Sequence, residues 1–146
     1  MIGTIADVAT FIATVIAVIA LYFAWAQLKS QSGQLKSQRE ATVLGIYRQY
    51  LDLAVRYPQY AQPNYTELSK HRGSDLYTQY EWFVSSMLYA CEAALDLFSD
   101  RQDWMEGIKE QLRYHLEYLN TTDFTDYEKH WNRELRHLIA EVRAED

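Results

Sequence analysis

Nineteen consecutive residues, 8–26, carry no charge, and only Thr10 and Thr14 among them are polar. As a helix rising 1.5 Å per residue the run would reach ~28 Å, close to the hydrocarbon thickness of a bilayer. A soluble core helix is seldom apolar on every side over such a length. Tyr22, Phe23 and Trp25 stand at its C-terminal end, where an interfacial aromatic belt belongs. The expectation is therefore a transmembrane helix over residues 1–26. Asp7 is the one charged side chain before the run, while Lys29, Lys36 and Arg39 come after it. The excess of basic residues after the span predicts a single-pass protein of the bacterial inner membrane, N-terminus outside and C-terminal domain cytoplasmic. The bilayer is then the first expected partner. Ala24-Trp25-Ala26 fits a signal-peptidase site, but the segment before it lacks Lys and Arg, and the apolar run is long for a cleaved leader.

Small residues recur through the run with the 4-3 spacing of a helical seam: Ala6, Thr10, Ala13, Ala17, Ala20 and Ala24. The spacing continues as Gln27, Gln31, Gln34 and Gln38. Gln-Leu-Lys-Ser-Gln at 27–31 recurs at 34–38, one heptad later, which sets Leu28 and Leu35 in line with Leu21. Small seam residues let helices approach closely, and polar seam residues set register. Residues 27–38 are therefore expected to form a juxtamembrane helix that pairs with copies of itself, a homo-oligomer interface. Gly33 and the serines favour the opposing view, a flexible linker.

The run Tyr22-Phe23-Ala24-Trp25-Ala26-Gln27-Leu28, with the Gln/Leu/Lys repeat behind it, resembles bacterial single-span membrane proteins of unknown function. These have a Gln-rich juxtamembrane helix and a helical cytosolic domain. The likeness covers roughly residues 8–40 and implies location and architecture, with no catalytic residue carried over.

Residues 39–146 read as one helical domain. Arg39 onward holds 19 acidic and 12 basic residues, a balance of −7 that repels nucleic-acid backbones and argues against general nucleic-acid binding. Cys91 stands alone in an apolar stretch, so no disulfide framework exists and the thiol reads as a small buried hydrophobe. Helical periodicity predicts an antiparallel bundle of about four helices, all-α. The first runs over 37–57 with Val43, Ile46, Tyr47, Tyr50, Leu53 and Ala54 inward, and Pro58 stops it. A loop to 73 holds the sequon-like triplet Asn64-Tyr65-Thr66, without meaning in a bacterial cytosol. The second helix, capped by Ser74, runs to 98 as the central helix, burying one stripe of Leu76, Tyr80, Phe83, Met87, Cys91 (or Ala90), Ala94 and Phe98 and a second of Val84, Leu88 and Leu95. The third spans 100–120 with Trp104, Ile108, Leu112, Leu116 and Leu119 inward. The fourth opens at Thr125, where Thr125 and Glu128 have capping-box spacing, and buries Tyr127, Trp131, Leu135, Leu138 and Val142.

The residues support three functional readings. The first is a membrane-anchored, self-associating helical interaction or signalling module without catalytic activity or cofactor, its domain binding a partner protein or small signal. The second is a membrane effector of bacterial antiviral defence. Its domain would sense a nucleotide messenger through Arg56, Tyr60, Tyr65, His71 and Arg72, since tyrosines can stack a base while arginines hold a phosphate. The third is a metal-dependent helical-bundle enzyme. His130, Glu134 and His137 share one face of a continuous helix, and Glu134-Leu-Arg-His137 is the Glu-x-x-His unit of di-metal bundles. That site needs a second such unit, which the sequence lacks, so no metal ligands are assigned. Nor does it hold a nucleophile-elbow glycine pattern, a phosphate-cradling loop or a zinc-ligand pairing.

Overall fold

The computed structural model describes the backbone of Ile2–Glu145 and the side chains of residues 16–145. The chain is helical, and the described residues include no strand. Two compact units, Met1–Glu40 and Ala41–Asp146, make it up. The first helix, α1 (Ile2–Arg56), contributes residues to both.

In the first unit α1 runs through 27–38 without interruption, so the flexible-linker view of this segment does not hold. Gly33 sits in regular helix with open space around it, and Ser32 returns its hydroxyl to the Lys29 carbonyl at 2.8 Å. Ala17, Ala20, Ala24, Gln27, Gln31, Gln34 and Gln38 therefore lie on one unbroken helix, all exposed. The Ala6, Thr10 and Ala13 side chains fall outside the described residues. Large apolar side chains beside the seam are exposed too: Leu21 at 70%, Leu28 at 65% and Leu35 at 59%.

The expected membrane span is corrected. Among the described residues, no helix is long and apolar enough to cross a membrane. The transmembrane helix over 1–26, the single-pass topology and the placement in the bacterial inner membrane with an outside N-terminus and cytoplasmic domain are not supported. Side chains 8–15 of the expected span lie outside the described residues. Gln27, Lys29, Ser30 and Gln31 come at once after it and dilute any longer window.

The second unit is a helical bundle. α1 ends at Arg56 because Pro58 confines the residue before it, and Tyr57 leaves the helical region at φ −126°, ψ 65°. Pro58 then opens a new helical turn, α2 (Pro58–Ala61), as a first-turn proline can. The expected loop to 73 thus holds two short helices, α2 and α3 (Tyr65–Ser69), the latter capped by the Asn64 side chain. Gly73 takes φ +81°, a left-handed turn that delivers the chain to α4 (Asp75–Phe98). Ser74 caps α4 as expected, accepting from the Tyr77 amide at 3.4 Å. α4 is central and packs against α2, α3, α5 and α8. Its buried face matches the expected stripe except that Tyr77, not Leu76, points inward; Leu76 is 41% exposed.

The third expected helix is broken. α5 (Gln102–Tyr114) ends at His115, whose φ −112°, ψ 11° is not helical, and α6 (Leu116–Leu119) restarts beyond it. The kink sends the His115 ring into the core, where Tyr80 bonds it. The fourth expected helix is broken as well. Thr121, not Thr125, caps α7 (Thr122–Tyr127). A 3₁₀ turn, Glu128–His130, comes next, and Trp131 is extended before α8 (Arg133–Glu145). Thr125 spends its hydroxyl on the Thr122 carbonyl, so no capping box forms. Tyr127 is consequently 67% exposed rather than buried.

Asn132 caps α8 instead. Its Oδ1 accepts from the Leu135 amide at 2.8 Å, its own amide donates to Glu92 and its Nδ2 donates to Asp96 at 3.0 Å. One side chain thus starts a helix and ties it to α4. Asn132→Ala is expected to cost about 1–2 kcal/mol in urea unfolding, the usual loss of an N-cap with a neighbouring bond. Arg143 closes the other end of α8. It donates to the Leu119 carbonyl and to Asn120 Oδ1 at 3.0 Å, and pairs with Glu128 at 2.9 Å.

Candidate functional site

The central helix carries the chemistry of the bundle on two sides. One side is closed. Tyr80 lies at its middle, with the rings of Tyr60, Tyr65, Tyr77 and Tyr118 at 5.5–6.3 Å from its own. Its hydroxyl meets His115 Nδ1 at 3.0 Å. Both residues are buried, and His115 Nε2 has no hydrogen-bond partner. Burial drives the His115 pKa down to about 4, so the imidazole is neutral, and pushes the Tyr80 phenol well above its ordinary value. Cys91 is also buried, its thiol pushed up to about 12 by desolvation, which leaves an inert packing group.

Of the five residues expected to hold a nucleotide-like ligand, the structure brings two into direct contact. Arg72 donates to the Tyr65 hydroxyl at 3.1 Å. Tyr65 in turn meets the Tyr77 hydroxyl at 3.1 Å, and the Arg72 guanidinium lies 5.9 Å from the Tyr77 ring centre. Asp123 stands 3.9 Å from Arg72. Tyr60 is 3% exposed, and its hydroxyl is directed at Gln79 Oε1 and the Leu76 carbonyl. Its ring cannot stack a base without leaving the core. Arg56 and His71 are exposed, at the end of α1 and before Gly73. The histidine spacing on the last helix is not realised either. His130 belongs to the 3₁₀ turn while Glu134 and His137 are on α8, so the three do not share one helix face. No group of three or more metal-ligating side chains occurs among the described residues.

The other side of α4 is open. A cavity of about 480 Å³ lies between α4 and the segment from α6 to Trp131. Trp82, Tyr118, Phe124, Tyr127 and Trp131 supply aromatic walls, Leu88 adds to them, and Thr78, Ser85 and His130 bring polar atoms. Glu81 is the one carboxylate in the lining. Among the described residues it makes neither a hydrogen bond nor an ion pair. Partial burial raises its pKa, the neighbouring Asp123 adds to the rise, and Arg72 opposes it. Trp82 is 71% exposed and also borders a second cavity of about 360 Å³ with Leu53, Tyr57 and Tyr60.

No protein-family model matches the chain, and no curated protein or solved structure matches it. The site therefore has to be read from its own atoms.

Sequence reasoning missed this cavity. The signal was present in Trp82, a large aromatic that falls outside both apolar stripes of its helix, beside Glu81 and one turn before Ser85 and Ser86. Trp131 and Tyr127 were assigned to a buried face, an assignment that assumed a helix running unbroken from Thr125.

Proposed function

We propose that this chain is a non-catalytic, self-associating helical interaction module whose bundle offers an aromatic cavity to a partner or small ligand. The observation behind self-association is the uncovered seam. A single helix gains most of its stability from packing an apolar face. Here the described part of the seam, Ala17 to Gln38, and its flanking leucines, Leu21, Leu28 and Leu35, are solvent-exposed on one unbroken helix. Their heptad spacing is that of a helix paired with helices of its own kind. Contiguous exposed apolar surface on such a scale marks an association site.

The test is sedimentation of the full chain alongside Gln31→Glu/Gln34→Glu. In a paired helix those substitutions set like charges against each other, and association is expected to weaken by roughly ten-fold or more. On a solitary helix they would do nothing. A parent chain that sediments as a monomer throughout the micromolar range would sink the reading.

A further inference from the structure

The aromatic cavity beside α4 has a chemistry specific enough to name its ligand class, and the inference rests on the reading of the bundle as a ligand- or partner-binding module. We infer that the cavity lined by Glu81, Trp82, Tyr118, Phe124, Tyr127 and Trp131 binds an alkylated ammonium group. Three features converge on that group. Its walls are aromatic, and a ring face attracts a cation through its quadrupole, tryptophan most strongly. Its volume, about 480 Å³, is that of a small-molecule site and leaves room for a trimethylammonium head with a short chain. Its lining carboxylate, Glu81, has no hydrogen-bond or ion-pair partner among the described residues.

The charge near Glu81 sets the sign of the ligand. Asp123 adds a second negative charge nearby, and the one cation that acts on Glu81, Arg72, is shared with Asp123 and Tyr65. A bound cation would offset the carboxylate that the fold leaves unmatched. An anion would meet Glu81, with the charge of Asp123 close behind it, and an uncharged apolar ligand would leave the carboxylate partly desolvated with nothing gained. Primary ammonium groups hold their water more tightly than methylated ones, so the methylated class suits an aromatic box better. The polar Thr78 and Ser85 hydroxyls lie in the same lining, within the reach of a hydroxyl or carboxylate on the ligand's other end.

The experiment is a calorimetric titration of the full chain at pH 8. The probes are choline, its uncharged isostere 3,3-dimethylbutanol, and trimethyl-lysine. Choline or trimethyl-lysine is expected to bind at least ten-fold more tightly than the isostere. Tighter choline points to a free small molecule and tighter trimethyl-lysine to a modified side chain. Glu81→Gln and Trp82→Leu are both expected to weaken the cation by several-fold. Trp82→Leu should weaken the isostere less than the cation, because it keeps part of the apolar bulk and removes the π face. Affinity for both cations no greater than for the isostere, or no binding of either cation into the tens of millimolar, overturns the inference. Sedimentation separates the two failures: a chain that assembles but ignores ammonium loses only this ligand.

Discussion

Tyr80→Ala is expected to lower the stability of the bundle by about 4 kcal/mol, the range of a large aromatic removed from a closed core. Tyr80 is completely buried, and four tyrosine rings close around it from α2, α3, α4 and α6. The void left by its ring would be bordered by side chains that other bonds hold in place. Tyr60 is directed at Gln79, and Tyr65 is held by Tyr77 and Arg72. They cannot collapse inward without breaking those bonds, so the cavity persists. His115 would also lose the partner of its Nδ1 while its Nε2 already has none. Small domains are stable by only about 5–15 kcal/mol, so this change takes a large share. Tyr80→Phe keeps the ring and removes only the hydroxyl, and is expected to cost about 1–2 kcal/mol. Urea unfolding monitored by near-UV circular dichroism measures both. A Tyr80→Ala midpoint within experimental error of the parent would mean that the tyrosines do not pack as described.

The bundle was largely legible in the sequence because its helices obey local rules. Ser74 starts α4 with the expected side-chain bond, Pro58 ends α1 within a residue of the expected place, and the stripe from Tyr80 to Phe98 is buried. The failures share a cause: tertiary bonds that spacing does not encode. His115 leaves the helix to meet Tyr80, thirty-five residues earlier. Asn132 starts α8 because Glu92 and Asp96 on α4 hold it there. Each break shifts the phase of the helix beyond it, which is why Tyr127 turned outward and the His130, Glu134, His137 face dissolved. The apolar run at the N-terminus failed differently. Its length, aromatic end and flanking charge suggested a span, but among the described residues no helix is apolar enough over a sufficient length, and the run gives way at Gln27 to a polar stretch. The aromatic cavity was legible only as an anomaly, an exposed tryptophan out of register with its helix.

Acidification should destabilise the bundle through His115 before the carboxylates contribute. An unfolded histidine titrates near 6.5, and the folded His115 near 4 because its charged form would be desolvated. Above 6.5 both states are neutral and nothing changes. Between 6.5 and 4 the unfolded chain takes a proton that the folded chain refuses, so stability falls as pH falls. The loss attributable to His115 is about 2 kcal/mol by pH 5 and about 3 kcal/mol by pH 4, below which it levels off. Glu81 works in the opposite direction, since its raised pKa lets the folded state protonate first. His71, His130 and His137 are exposed and present in parent and variant alike, so a comparison with His115→Asn cancels them. Asparagine can still accept the Tyr80 hydroxyl and cannot titrate. Chemical denaturation at pH 7, 6 and 5 is expected to show a steep loss for the parent and a flatter one for the variant, even if the variant starts less stable. Parallel slopes in the two proteins would show that His115 takes up its proton in the folded state as readily as in the unfolded one, and that the Tyr80–His115 core is open to water.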